Sequence, residues 1–166
     1  MISQSKPRRE LIEIRPDLEL PLTITGVVVH GAKRGRLLGY PTANIAVPTD
    51  IDAPEGVFAG TAKRADGTIY RSAISVGRRE TFYSSAPSLV EAYLLDFSDD
   101  LYGEVLSVEL VCELRIQTRF DVITDLVTQI EQDVEDVRSL ISLSGDTDPE
   151  SLDVVRIDRS ASRTAG

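Results

Sequence analysis

A small antiparallel β-sheet or barrel capped by a C-terminal helix is the fold class this sequence predicts. Three observations carry it. β-branched and alternating apolar runs fill the first two thirds of the chain, Gly- and Asp-rich turns join them, and the apolar period lengthens to three and four residues after Phe120. Strands followed by one helix, with no helical crossovers between them, argue against a parallel α/β sheet. At 166 residues, 42% hydrophobic and 27% charged, the chain suits one domain with a sizeable core.

Residues 1–20 are polar and interrupted by Pro7 and Pro16, which predicts a flexible lead-in before a domain spanning 21–142. The β-branched run 23–29 predicts the first strand. Residues 56–64 and 69–76 predict the next two, joined by Asp66-Gly67, the strongest short hairpin signal in the chain. Residues 89–97 predict a fourth, and the turn 98–103 leads to a long fifth over 104–115. There Val108, Leu110, Cys112 and Leu114 share one face, and Ser107, Glu109, Val111 and Glu113 the other. Val122, Leu126, Ile130, Val134, Val137 and Ile141 then make one apolar stripe on a helix of about five turns. Asp121 is its expected N-cap, and Glu131, Asp133, Glu135 and Asp136 its expected solvent face. The polar, aperiodic stretch 143–166 predicts a disordered tail.

Charge and cysteine content narrow the function. A net charge of −9 argues against a nucleic-acid partner, whose footprint is a basic face. One cysteine, Cys112, permits no internal disulfide and fits a reducing compartment; its place in a strand reads as a structural thiol. No apolar run suits a signal peptide or a membrane span, so a cytoplasmic monomer without a membrane partner is the expectation.

The chemistry concentrates in residues 30–45, HGAKRGRLLGYPTANI. Gly31, Gly35 and Gly39 recur every four residues among Lys33, Arg34 and Arg36. Glycine lets backbone N–H groups approach an anion, the cations neutralise it, and Thr42 and Asn44 offer hard oxygen ligands for Mg²⁺ that also keeps phosphate oxygens and waters. The stretch reads either as a nucleotide-phosphate site or as a solvated glycine-rich loop. It is not a P-loop, a Rossmann turn or a protein-kinase motif, since the residues that define those are missing.

Glu91 shares a strand face with Leu89, Tyr93, Leu95 and Phe97. Apolar neighbours would raise its pKa and suit it to general-base work; the alternative is a strand-edge carboxylate turned to water. Asp96, Asp99 and Asp100 read as strand-end and turn residues. His30 is the sole histidine, which leaves little support for a histidine-centred metal site or a Ser-His-Asp triad.

Taken together, these segments resemble riboflavin kinase, the flavokinase domain that also forms the C-terminal half of bacterial bifunctional FAD-synthesis enzymes. The likeness runs from about Thr25 to Arg138. It is carried by Gly26-Val27-Val28-Val29-His30-Gly31, Gly35-Arg36-x-x-Gly39, Pro41-Thr42-Ala43-Asn44, Gly56-Val57-Phe58, Val76-Gly77 and Thr81-Phe82. Glu91, Asp96-Phe97, Asp100-Leu101-Tyr102-Gly103-Glu104, Leu114-Arg115, Phe120 and Asp133 complete it. The resemblance implies a six-stranded Greek-key barrel with a C-terminal helix that transfers the γ-phosphate of ATP to the 5′-hydroxyl of riboflavin, giving FMN and ADP. It implies Gly31, Arg36, Thr42 and Asn44 for ATP, Thr42 and Asn44 for Mg²⁺, Glu91 as catalytic base, and Arg115, Thr118 and Asp125 for the flavin. Three departures stand out: Arg79-Glu80 where the family commonly has Asn-Pro, Tyr93 where many members have His, and Thr118 where a basic residue is frequent. With only about 20 residues before the first strand, no adenylyltransferase unit is expected, so FMN and not FAD is the expected product. The alternative is a flavin- or nucleotide-binding module of the same fold with little or no turnover.

Overall fold

The computed structural model describes residues 17–48, 51–78 and 87–143, together with the backbone of 152–154. Six strands close into a barrel: β1 (Leu22–Val29), β2 (Ala43–Ile45), β3 (Gly56–Arg64), β4 (Ile69–Arg78), β5 (Ser88–Leu94) and β6 (Val105–Arg115). Around the barrel the order is β1–β2–β5–β4–β3–β6, and every neighbouring pair is antiparallel. β3, β4 and β5 are consecutive neighbours and β6 returns beside β3, which is the Greek-key order.

Five of these strands are the ones the residue patterns predict. The sixth, β2, has three residues, too few to show a period. It fills the gap between β1 and β5, with Val28 opposite Ile45 and Ala43 opposite Ala92. A four-residue helical turn, α1 (Arg34–Leu37), precedes it within the glycine-rich stretch.

Two apolar layers hold the fold. The barrel interior is filled by side chains including Ile24, Val28, Ile45, Phe58, Ile74, Val90, Leu106, Val108 and Leu110. A second cluster of Val57, Ala59, Leu95, Leu114, Val137 and Ile141 lies between the barrel wall and the helix α2 (Ile123–Leu140). Strand β6 serves both layers because its register against β3 slips twice. Val57 pairs with Arg115 but Phe58 with Glu113, and Ala59 pairs with Cys112 but Gly60 with Leu110. Each slip adds one residue to β6 and inverts the alternation beyond it. The uniform face expected over Val108, Leu110, Cys112 and Leu114 therefore breaks: Leu114 joins the outer cluster and Glu113 is buried. Cys112 is half-buried, and burial pushes its thiol up in pKa, away from reactivity. At the second slip a Cβ on Gly60 would run into the Glu109 carbonyl, so the close strand approach needs glycine.

Helix α2 corrects two expectations. Its N-cap is Val122, extended and without a side-chain hydrogen bond, rather than Asp121. Asp133 is buried at 4% exposure instead of lying on the solvent face. Beyond the helix, Ile141, expected on its apolar stripe, instead opens β7 (Ile141–Leu143), which pairs with β8 (Leu152–Val154) from the 143–166 stretch. At the other end, Leu18 and Leu20 of the expected lead-in pack on the barrel core. Arg79, Glu80, Thr81 and Phe82 lie outside the described residues, as do the rest of 144–166 and residues 1–16. Among the described residues no helix is long and apolar enough to cross a membrane.

Candidate functional site

The site follows from strand alternation. Ala43 and Ile45 point into the barrel, so Asn44 between them points out; Val90 and Ala92 point in, so Glu91 points out. Pairing then lines up one outward row across five strands: Asn44 faces Glu91, Glu91 faces Ser75, Ser75 faces Val57, and Val57 faces Arg115. β5 sits between β2 and β4 and has no free edge, so Glu91 is a half-buried wall residue rather than an edge carboxylate in water.

Two cavities meet over this row. The first, of about 670 Å³, is lined by the 28–31 strand end, Lys33, Arg36, Gly39 and the 97–102 turn. The second, of about 510 Å³, is lined by Glu91, Ser75, Arg115, Gln117, Thr118, Phe120 and the Leu126 and Ile130 face of α2, among others. Their common wall is Gly31, Thr42, Asn44 and Tyr93. Gly31 lies directly on the Asn44 carboxamide, which a Cβ there would displace.

Burial raises the Glu91 pKa above the ordinary carboxylate value, while a hydrogen bond from Thr42 and the charge of Arg34 pull it back. On the first cavity's rim His30 stacks on Tyr102, ring centroids 3.7 Å apart at 17°. Asp99 and Asp100 accept backbone N–H bonds from Asp100 and Tyr102 at 2.8 and 2.9 Å, the turn role their spacing suggests. Lys33 holds a left-handed φ of 56°, an uncommon conformation for a side chain and one that clusters at ligand sites. Tyr93 in the shared wall meets Tyr40 edge-on at 5.4 Å.

The second cavity is braced by an ion pair. Arg115 Nε donates to Asp133 Oδ1 and Oδ2 at 3.0 and 3.1 Å, and its Nη2 to Oδ2 at 2.9 Å. Gln129 donates to the same carboxylate at 3.0 Å, and the guanidinium lies 5.7 Å from the Phe120 ring centroid. Gln117 Nε2 donates to Ser75 Oγ at 2.7 Å and to the carbonyls of Val76 and Gly56 at 3.1 and 3.3 Å, pinning the 116–120 segment to β3 and β4.

Of the residues the sequence points to, Gly31, Thr42 and Asn44 border both cavities, Arg36 borders the first, and Glu91, Arg115 and Thr118 border the second. Asp125 is exposed in the first turn of α2 and borders neither. The sequence marks Arg34 only as one of three cations of the same turn, without its separate place in the second cavity, and leaves the cavity roles of Gln117 and Asp133 unread. Asp133 stands among the residues of the family resemblance, and the Gln129–Asp133 spacing of four residues is a further signal for it.

The closed barrel thus carries two confluent cavities, with a basic glycine-rich turn over one and a carboxylate in the other. The family profile for riboflavin kinase (flavokinase) matches residues 18–141, and the chain belongs to that family. The bifunctional riboflavin kinase/FMN adenylyltransferase of Haemophilus influenzae is 35% identical over 122 residues, covering 74% of this chain and 39% of that protein. Human riboflavin kinase is 31% identical over 131 residues, 75% of this chain and 83% of its own length. The crystal structure of riboflavin kinase from Trypanosoma brucei superposes with a TM-score of 0.54 at 27% identity, covering 70% of this chain and 74% of that one. The chain thus spans less than half the length of the bifunctional relatives and most of the length of the human one.

Proposed function

We propose that this chain phosphorylates riboflavin with ATP, releasing FMN and ADP. The observation that carries this reading is the common wall: Thr42 and Asn44 face both cavities, and Glu91 stands on the acceptor side in hydrogen-bond contact with Thr42. ATP fits the first cavity, where Lys33 and Arg36 offset the triphosphate charge and the glycine-rich backbone lies close. Riboflavin fits the second, whose Leu126, Ile130 and Phe120 side chains suit a flat ring system and whose polar groups set its direction.

Phosphoryl transfer asks chiefly for positioning and charge neutralisation. The ribityl 5′-hydroxyl, held beside Glu91, gives its proton to the carboxylate as its oxygen bonds to the γ-phosphorus and the bond to the β-phosphate bridging oxygen breaks. A carboxylate whose pKa burial raises above the ordinary value, with Thr42 and Arg34 favouring its ionised form, matches that task. The donor set fits Mg²⁺: Thr42 and Asn44 supply neutral hard oxygens, and substrate phosphates and waters would complete the shell. When bound there, Mg²⁺ would neutralise phosphate charge.

Purified protein with riboflavin, ATP and Mg²⁺ should yield FMN and ADP in equal amounts by chromatography. Tight binding of both substrates with no FMN formed would identify a binding module instead.

A further inference from the structure

Arg34 stands apart from the other two cations of its turn. Lys33 and Arg36 border the first cavity, whereas Arg34 borders the second. The geometry of α1 explains the division: successive helical residues turn by about 100°, so side chains at 34 and 36 project to nearly opposite sides.

The second cavity has two cations in its wall, Arg34 and Arg115. Arg115 is committed to the Asp133 carboxylate through Nε and Nη2, and its Nη1 reaches the Ile116 carbonyl at 3.3 Å. Arg34 makes no ion pair among the described residues, yet it lies near enough to Glu91 to favour that group's ionised form. An uncommitted guanidinium therefore waits on the acceptor side, beside the carboxylate and the wall that the two cavities share.

We propose that Arg34 is the acceptor-side phosphoryl anchor, meeting the group as it crosses the Thr42–Asn44 wall and holding the phosphate of the product in the second cavity. This rests on the riboflavin kinase reading above. In the transfer the bond from the γ-phosphorus to its bridging oxygen breaks, a bond to the 5′-oxygen forms, and the hydroxyl proton passes to Glu91. The acceptor enters with an uncharged hydroxyl and leaves as a phosphate monoester with about two negative charges. A guanidinium that meets phosphate only during and after transfer stabilises the transition state and product far more than the substrate. Its planar donor fork suits phosphate oxygens better than a lysine ammonium would.

The test uses the full chain with Arg34→Gln and Arg34→Lys. Flavin fluorescence titration in the presence of Mg·ADP gives riboflavin and FMN affinities, and steady-state assays give kcat and KM. Arg34→Gln should weaken FMN about tenfold or more, the loss of a charge-assisted contact, while riboflavin affinity stays within about twofold. Its kcat should fall with little change in the riboflavin KM, and Arg34→Lys should recover part of both losses. Equal weakening of both flavins would make Arg34 a structural residue of α1 and overturn the proposal. Normal wild-type turnover with an unchanged FMN-to-riboflavin affinity ratio in Arg34→Gln would overturn it alone. A wild-type chain that bound neither flavin would remove the riboflavin kinase reading and this inference with it.

Discussion

The two cavities are built in different ways. The first is made of chain turning back on itself: the end of β1, the α1 turn and the 97–102 turn, with cations and glycines close in sequence. The second sets the other side of the α1 turn, Arg34 included, against separate elements brought together: outward faces of β3, β4 and β5, the end of β6, and one side of α2. A site built from local turns depends on backbone conformation and a few charges. A site built across elements depends on tertiary contacts, above all the Arg115–Asp133 pair that ties β6 to α2. The shared wall belongs to both, so perturbations there should affect both substrates, whereas perturbations elsewhere should separate them.

The largest effect is expected at the shared wall. Thr42→Ala and Asn44→Ala should each cut FMN formation by roughly a hundredfold or more with the fold intact, because each removes an oxygen ligand and no core packing. Chelating divalent metal in the wild type should abolish turnover and be reversed by added Mg²⁺. Turnover of both variants at the wild-type rate with saturating Mg²⁺ would detach the wall from phosphate chemistry.

Next comes the brace of the second cavity. Asp133→Ala strands the Arg115 guanidinium, whose side chain is only 20% exposed, and should cost about 3 kcal/mol of stability. Thermal denaturation should record a Tm lower by several degrees, and riboflavin affinity should fall while ATP affinity is nearly kept. An equal loss of both affinities would mean that the cavities are not independently built.

This contrast also explains what was legible in the sequence. Residues 30–45 carry the first cavity's glycines and cations contiguously, so local reading found them. Five strands and the helix emerged from their periods, but β2 did not: three residues cannot display alternation, and the sixth strand came only through the family resemblance. Asp133 is polar and lies among acidic neighbours, so helical periodicity assigned it to solvent. Its burial depends on Arg115, 18 residues away and on another element. The slips of β6 against β3 were hidden for a similar reason, since register is a property of a pair of strands. Asp121 looked like a cap because its residue type suits one; the backbone enters the helix one position later.

The smallest effect is expected where β5 meets α2 on the surface. Asp96 accepts hydrogen bonds from Arg138 at 2.8 and 2.9 Å, which holds its pKa below the ordinary aspartate value. A carboxylate with a depressed folded pKa contributes stability above its unfolded value, near pH 4, and loses it as pH falls further. Asp96→Asn should therefore lower Tm slightly at neutral pH, with the difference from wild type shrinking as pH falls below about 4. Both sides are exposed, so solvent screening keeps the effect small, and neither substrate's affinity should change.

The account turns on whether Glu91 performs chemistry at the junction or merely completes its wall. Glu91→Gln keeps the size of the side chain and removes the base. Flavin fluorescence titration should give near-native binding of riboflavin and Mg·ATP. FMN chromatography should show turnover at least about a hundredfold slower, the lower end of general-base contributions. Normal turnover in that variant, or weakened binding with a lowered Tm, would contradict the assignment of Glu91 as the base.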